Sequence, residues 1–419
     1  MSEPRPVDHD ALVGRLVAAI DYSALSIPQL AKRPPESPSL VFSGGAFRPE
    51  KFISEVGLLL YAAHGSAGED CRVREAIHRA GAALERHARS DVILAAMVLR
   101  PEDAAELAVS HVCLTQIGLP DRDFDQAVRQ LFDRGVSSVE KAPWKDLEAA
   151  WLSDKSDWAP SPQRLNWSLG RTNLVGGFDP ITAGRGDLYA VTHALIYASD
   201  FGRRAVNLPR PTGNIVSEVS SALAGRIDED DFDLAAELLM SWSYLREPCT
   251  ATFRFALDTL LSIEDLVGVL PSLTLNQSAL DGLDTAERHR MIFAESYHTA
   301  LVMGLLAAAL LRNPLPVENE DAHHRAGACD ALLELLDPTS RRPLWLDALA
   351  AVPPDERDAL ATLVADVGLR RAVAASEMGA VVAILQTSLT FRVQPTAAMI
   401  AASDLLQRFA RSGLARSTA

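Results

Sequence analysis

The chain has 419 residues, and 40 Lys and Arg against 55 Asp and Glu leave a formal charge of −15. That balance excludes the basic stripe that releases counterions from nucleic acid. An apolar content of 48 % excludes a disordered chain outside its two ends.

Helical periodicity dominates in chain order. From Asp10 to Ile20 the apolar residues Leu12, Val13, Leu16, Val17 and Ile20 recur at spacings of three and four, and Phe52 to Ala63 repeats the pattern. A helix from Asp103 to Ile117 opens on Pro101-Glu102-Asp103, where acidic first-turn residues complement the dipole. Further helices are predicted over 123–134, 138–153, 186–202, 229–245, 284–312, 321–336, 354–366, 369–388 and 394–412, with Pro and Gly punctuating between them. Val381 to Val393 tempts as a strand, but continues a helical pattern begun at Val373. The chain therefore reads as all-α, an array of antiparallel helices resembling an α/α barrel or toroid. Its expected parts are a helical lobe over 1–152, a Trp-, Pro- and Gly-rich loop over 153–186, and a second lobe over 187–419, the lobes forming one continuous unit. Four of the six tryptophans (Trp144, Trp151, Trp158, Trp167) lie in or beside that loop. They read as anchors pinning it to the surface, or as a lid that excludes water. The stretch Arg33 to Pro49 is likewise expected to be irregular.

Cys71, Cys113, Cys249 and Cys329 include no Cys-x-x-Cys pair and are expected as reduced, mostly buried thiols. The first residues, Met1-Ser2-Glu3-Pro4-Arg5-Pro6, lack the blocks of a signal peptide. The longest apolar run, Ala300 to Leu311, is shorter than the roughly 20 residues that span a bilayer. The expectation is a soluble cytoplasmic protein without nucleic-acid or membrane partners, able to form a homodimer.

Two acidic patterns are weighed first. Asp228-Glu229-Asp230-Asp231 resembles the Asp-x-Asp-Asp string with which class II terpene cyclases protonate an alkene. A solvated cluster at a helix start explains the same residues, and the chain is poor in the aromatic residues that stabilise carbocations. Glu75-x-x-His78 and Glu295-x-x-His298 are half of a di-iron ligand set. Helical carboxylates to complete the set are not evident, and the adjacent His323 and His324 are expected to be exposed.

The sharper constellation is Tyr189, His193, Tyr197 and Asp200, at i, i+4, i+8 and i+11 of one helix. That spacing stacks an imidazole, two phenols and a carboxylate on a single face. Half-burial of such a stripe moves pKa values apart, which is how acid and base roles arise. A hydrogen-bond network of purely structural use is the competing reading. Gly202 reads as the C-cap, leaving Asp200 in a last turn where the dipole disfavours a carboxylate, so Arg203, Arg204 or a functional demand must offset it. Asp233 and Glu237, with Ser241 and Tyr244 along the same face, and Tyr297-His298 offer partners.

Thr192-His193-x-x-x-Tyr197-x-Ser199-Asp200-Phe201-Gly202 resembles the Thr-His-x-x-x-Tyr-x-Thr-Asp-Phe-Gly segment of DUF6895, with Ser199 in place of the usual Thr. Asp231-Phe232-Asp233-Leu234-x-x-Glu237-Leu238 and Tyr297-His298-Thr299 resemble its later segments, so the likeness spans most of 50–310. It implies a helical, cytoplasmic, largely actinobacterial protein linked to specialised-metabolite gene clusters.

The expected function is a cofactor-independent tailoring enzyme of secondary metabolism. It would carry out cyclisation, elimination or isomerisation of a small or peptide-like substrate, with no metal. His193 serves as general base or acid and Tyr197 as proton donor or oxyanion stabiliser. Asp200 sets the His193 tautomer or works as a second acid, and His298 is a further catalytic group. Tyr189, Trp167, Asp233, Glu237 and Tyr297 bind substrate, with His298, Asp233 and Glu237 lining the same cavity. Alternatives are a non-catalytic helical protein that holds a peptide or partner enzyme in its groove, and metal-dependent chemistry through His193, His298 and carboxylates.

Overall fold

A computed structural model describes residues 8–30, 48–68, 70–133, 141–156, 158, 162–275, 280–316, 325–336 and 342–412. Most of the stretch predicted irregular over 33–49, the first residues of the helix predicted over 138–153, and His323-His324 lie outside them. The chain is all-α, with no β-strand among the described residues.

In chain order the helices are α1 (His9–Leu30), α2 (Pro49–Ala63), α3 (Cys71–Ala88), α4 (Asp91–Leu99), α5 (Ala104–Gln116), α6 (Arg122–Asp133) and α7 (Pro143–Ser156). Next come α8 (Pro162–Leu169), α9 (Asn173–Gly176), α10 (Arg185–Ala198), α11 (Thr212–Asp228), α12 (Phe232–Leu245), α13 (Ala251–Val267) and α14 (Thr285–Arg312). The last are α15 (Ala328–Leu333), α16 (Trp345–Ala351), α17 (Pro354–Arg357), α18 (Ala361–Ala374), α19 (Met378–Phe391) and α20 (Ala397–Arg411). Sequence reading did not assign α3, α4, α11, α13 and α16. It also ran α10 four residues too far, and the region expected to be a long loop folds in part as α8 and α9. The segment that tempted as a strand is α19.

Two compact units form, and they do not follow the sequence division. Unit 1 is Met1–Thr172, His193–Val206 and Val269–Pro314; unit 2 is Asn173–Thr192, Asn207–Gly268 and Leu315–Ala419. The division runs through α10, after Thr192.

In unit 1 the long α14 packs on α1 and α2, and α2 also packs on α5. Small residues permit the approach. A Cβ on Gly304 would stand 2.7 Å from the Cβ of Ala19 and 2.9 Å from Leu59 Cδ1, and one on Gly57 would stand 2.8 Å from Ser110 Cα. Two serines then stitch α2 to α5: Ser54 Oγ donates to the Glu106 carbonyl and Ser110 Oγ to that of Ile53, each at 2.8 Å. The predicted start of α14 holds because Asp284 and Glu287 cap it reciprocally, each side chain accepting from the other's backbone N–H. By length and composition α1 and α14 could cross a membrane; 44 % and 72 % of those windows are buried in the fold.

In unit 2 every residue of α12 is buried. Around it α11 packs on α12 and α18, and α18 packs on α19 and α20. Thr250 and Thr396 cap α13 and α20, accepting from Phe253 N and Met399 N. All four cysteines are free, three of them buried and Cys71 exposed.

Candidate functional site

In unit 1, side chains of α7 meet those of the second half of α10 along a seam. Trp144, Glu148, Trp151 and Lys155 stand at i, i+4, i+7 and i+11 of α7, one face of a helix. They meet the predicted stripe in register. The Trp144 ring lies 4.7 Å from that of His193, and the Tyr197 hydroxyl donates to Glu148 Oε1 at 2.6 Å. Trp151 packs 5.4 Å from Tyr197, while its Nε1 donates to Asp200 Oδ1 at 2.8 Å and Lys155 Nζ to Asp200 Oδ2 at 2.6 Å. Rising numbers pair with rising numbers, so these two helices run parallel rather than antiparallel; the segment 157–184 is long enough to return the chain to the same end.

The electrostatics differ along the seam. Burial pushes the half-buried Glu148 carboxyl above the usual range. Glu106 adds to the rise, against the hydrogen bond from Tyr197 and attraction from His193 and Lys145. Burial and the neighbouring Glu148 drive the Tyr197 phenol well above its ordinary value, so it remains a donor. The ring of His193 is half-buried beside them. A carboxyl raised by burial, in the field of an imidazole, can form an acid–base pair with it.

Asp200 differs from expectation in three respects. It lies beyond α10, which ends at Ala198; Asp200, Phe201 and Gly202 all adopt left-handed φ, at 53°, 55° and 79°. Its carboxylate is engaged by the Tyr61 hydroxyl at 2.8 Å together with Trp151 and Lys155, so its described hydrogen bonds serve anchoring and none goes to His193. The offsetting cation is Lys155 rather than Arg203 or Arg204. Arg203 donates to the backbone carbonyls of Tyr61 and His64, and Arg204 to those of Ala198 and Tyr197.

Elsewhere in unit 1, His298 on α14 places Nδ1 3.1 Å from Glu55 Oε2 on α2, and its side chain is 27 % exposed. Tyr297 is buried, its ring edge-on to Phe52 at 5.3 Å. Trp167 is exposed, with the Arg171 guanidinium 4.6 Å over its ring. Trp158 is buried and donates from Nε1 to Asp125 at 2.9 Å. Glu75 and His78 are exposed on α3, and Glu295 accepts from Thr274, so neither Glu-x-x-His pair is drawn together around a shared point.

Unit 2 holds the first half of α10. Tyr189 donates to Asp233 and accepts from Arg185 Nη2 at 2.9 Å, and Thr192 Oγ1 donates to Glu237 Oε2 at 2.5 Å. Burial and the carboxylates of Asp233 and Glu237 raise the Tyr189 phenol. Asp233 and Glu237 are buried, as are Ser241 and Tyr244 on the same face. Each of the two acids offers a carboxylate oxygen within 4.8 Å of the other's, a pair able to hold a cation.

The acidic string beside them is not a solvated cluster. Asp228 is bound by both Nε and Nη2 of Arg371 and by Trp345 Nε1 at 2.9 Å; Glu229 pairs with Arg226 and Arg370. Asp230 is buried and accepts from Leu344 N at 3.2 Å, and the fully buried Asp231 pairs with Arg185 and Arg226. Burial outweighs those two guanidinium groups and raises the Asp231 carboxyl. Further into unit 2, the buried Asp366 accepts from Thr396 Oγ1 and is bonded by Ser221, and burial lifts its carboxyl to about 7.

Two open grooves of about 370 and 310 Å³ are found in unit 2. One is lined by Gly177, Asp179, Glu218 and Asp404, the other by Leu333, Leu346 and Leu349; no predicted site residue lines either.

Sequence reading missed Glu148, Lys155, Tyr61, Glu55 and Arg185. The signal for the first two was present, because Trp144, Glu148, Trp151 and Lys155 repeat the spacing of the stripe they meet. No curated protein and no solved structure matches the chain. Residues 32–308, more than half of the chain, match the family described as Domain of unknown function (DUF6895), and the protein belongs to that family.

Proposed function

We propose that this protein is an enzyme that moves protons on a small or peptide-like molecule. The reaction is a cofactor-independent tailoring step, of cyclisation, elimination or isomerisation type, in the specialised metabolism of a bacterium and in its cytoplasm. The observation that carries the reading is the Glu148–Tyr197 hydrogen bond of 2.6 Å beside the half-buried His193. Tyr197 holds Glu148 Oε1, which leaves Oε2 to exchange a proton with a bound molecule. His193, in the attractive field of Glu148, takes or returns the complementary proton. Trp144, against the His193 ring, supplies an apolar wall that keeps both groups from bulk water. His298 is a further proton-transfer group of the same unit. Asp200, saturated by three donors, takes no part.

The test is conversion of metabolite features in an extract of the source organism, run in deuterated water and read by mass spectrometry. Wild-type protein converts at least one feature with deuterium incorporation, and Glu148→Gln and His193→Ala slow that conversion by roughly 10²- to 10⁴-fold, the worth of a positioned acid or base. Undiminished conversion by both variants, stably folded, overturns the assignment. If no feature is converted, the reading as a non-catalytic binding protein replaces it.

A further inference from the structure

We infer that Asp233 and Glu237 of unit 2 bind a hard divalent cation, with the Ser241 hydroxyl as a third donor and water completing the shell. The inference goes beyond the proton-transfer reading of unit 1 and does not depend on it.

Asp233, Glu237 and Ser241 follow one another at four-residue steps on α12, so one helix face carries all three. The two acids are 7 % and 4 % exposed, and an oxygen of each lies within 4.8 Å of the other's, close enough for one ion to be shared. A hydroxyl of α10 steadies each carboxylate: Tyr189 donates to Asp233 Oδ2 and Thr192 to Glu237 Oε2. Outer-shell partners orient metal-binding carboxylates in this way. Arg185 stands 3.6 Å from Asp233 Oδ2, but its closer bond is to Asp231. Ser241 is the independent sign of a ligand. Ser23, Ser153 and Ser388, within other helices, each donate to the carbonyl four residues earlier. Ser241 does not: it is 1 % exposed, and its Oγ makes no hydrogen bond. Buried hydroxyls are ordinarily satisfied. This one is turned from its own helix backbone, one turn after Glu237 on the face that carries both acids. A donor set made only of oxygens suits Mg²⁺, Mn²⁺ or Ca²⁺ rather than softer metals. Two positive charges also match two carboxylates buried side by side.

The experiment is titration of chelator-treated full-length protein with Mn²⁺, read from the electron paramagnetic resonance signal of the free ion. Wild-type protein is expected to take up about one ion per chain, displaced by Mg²⁺ or Ca²⁺. Asp233→Asn and Glu237→Gln each lose that ion, and Ser241→Ala binds it roughly tenfold more weakly. No uptake by the wild type, uptake at wild-type affinity by either carboxylate variant, or unchanged affinity in Ser241→Ala overturns the inference. Ser241→Ala keeps both acids and removes only a hydroxyl that bonds to nothing, so it decides even if the carboxylate variants do not fold. Loss of turnover in Glu148→Gln bears on the catalytic reading alone and leaves this result standing.

Discussion

The two ends of the α7–α10 seam treat a carboxylate in opposite ways. At one end Asp200 receives Tyr61, Trp151 and the ammonium of Lys155, and its side chain is only 6 % exposed. At the other end Glu148 receives one phenol and no ion pair among the described contacts, and burial raises its carboxyl. The helices and the aromatic neighbours are shared, so the counter-charge makes the difference. A buried acid given a cation and a full set of donors is an anchor, costly to disturb and chemically silent. A buried acid left with hydroxyls has its carboxyl raised, which suits it to exchange a proton. Unit 2 repeats the contrast. Asp228 is clamped by Arg371, whereas Asp366 is held by two hydroxyls and sits near 7.

The strongest test of that rule is Asp366→Asn. With a folded value near 7 against an ordinary 3.8, both folded and unfolded chains are protonated in acid and stability is full there. As pH rises from about 4, the unfolded chain ionises first and stability falls, levelling off above 7. About three pH units at about 1.4 kcal/mol each make roughly 4 kcal/mol lost in the wild type at pH 8. Asp366→Asn keeps an acceptor for Thr396 and escapes that loss. Melting curves at pH 4 and pH 8 should therefore coincide with wild type at the first and lie well above it at the second. A variant that melts lower than wild type at pH 8 breaks the comparison.

Next in size is Lys155→Ala, which leaves Asp200 buried without its cation. Roughly 3 kcal/mol of destabilisation is expected in denaturant titrations, the low end for one partner of a buried ion pair because Tyr61 and Trp151 still donate. A change under about 0.5 kcal/mol would mean that the ion pair anchors nothing.

The smallest effect sharpens the contrast. Glu148→Gln preserves the shape and an acceptor for Tyr197, so its stability should match wild type within about 0.5 kcal/mol in acid. The wild-type carboxyl is raised, so its folded form loses stability as pH climbs from the ordinary carboxylate range through the raised value; the variant does not. Thermal melts should separate in favour of Glu148→Gln as pH rises, opposite in sign to Lys155→Ala.

The chemistry of the seam was half legible. His193 and Tyr197 were visible because 3.6-residue geometry fixes what shares a helix face, whatever surrounds it. Asp200 was misplaced from the same rule, since periodicity does not announce that Asp200, Phe201 and Gly202 all turn left-handed. Local bonds close that turn, Phe201 N donating to the Ile196 carbonyl and Gly202 N to Ser199 Oγ, whereas the partners of the Asp200 carboxylate, Tyr61, Trp151 and Lys155, come from far along the chain. Asp228-Glu229-Asp230-Asp231 looked solvated because a cluster of charges ordinarily is. Arg226 is near in sequence, but Arg185, Arg370 and Arg371 are brought in only by the fold.

By itself the sequence determined the all-α class, the placement of α2, α5 and α14, and the one-face relation of Tyr189, His193 and Tyr197, because caps and periodicity act over a few residues. The α11 segment, rich in Ser and Gly, has weak local preference and is helical through burial against α12 and α18. Only the tertiary structure decided which acids meet cations, where the chain divides into its two units, and that α7 runs parallel to α10. Each of those depends on contacts between residues distant in sequence, where burial and counter-charge outweigh any local signal.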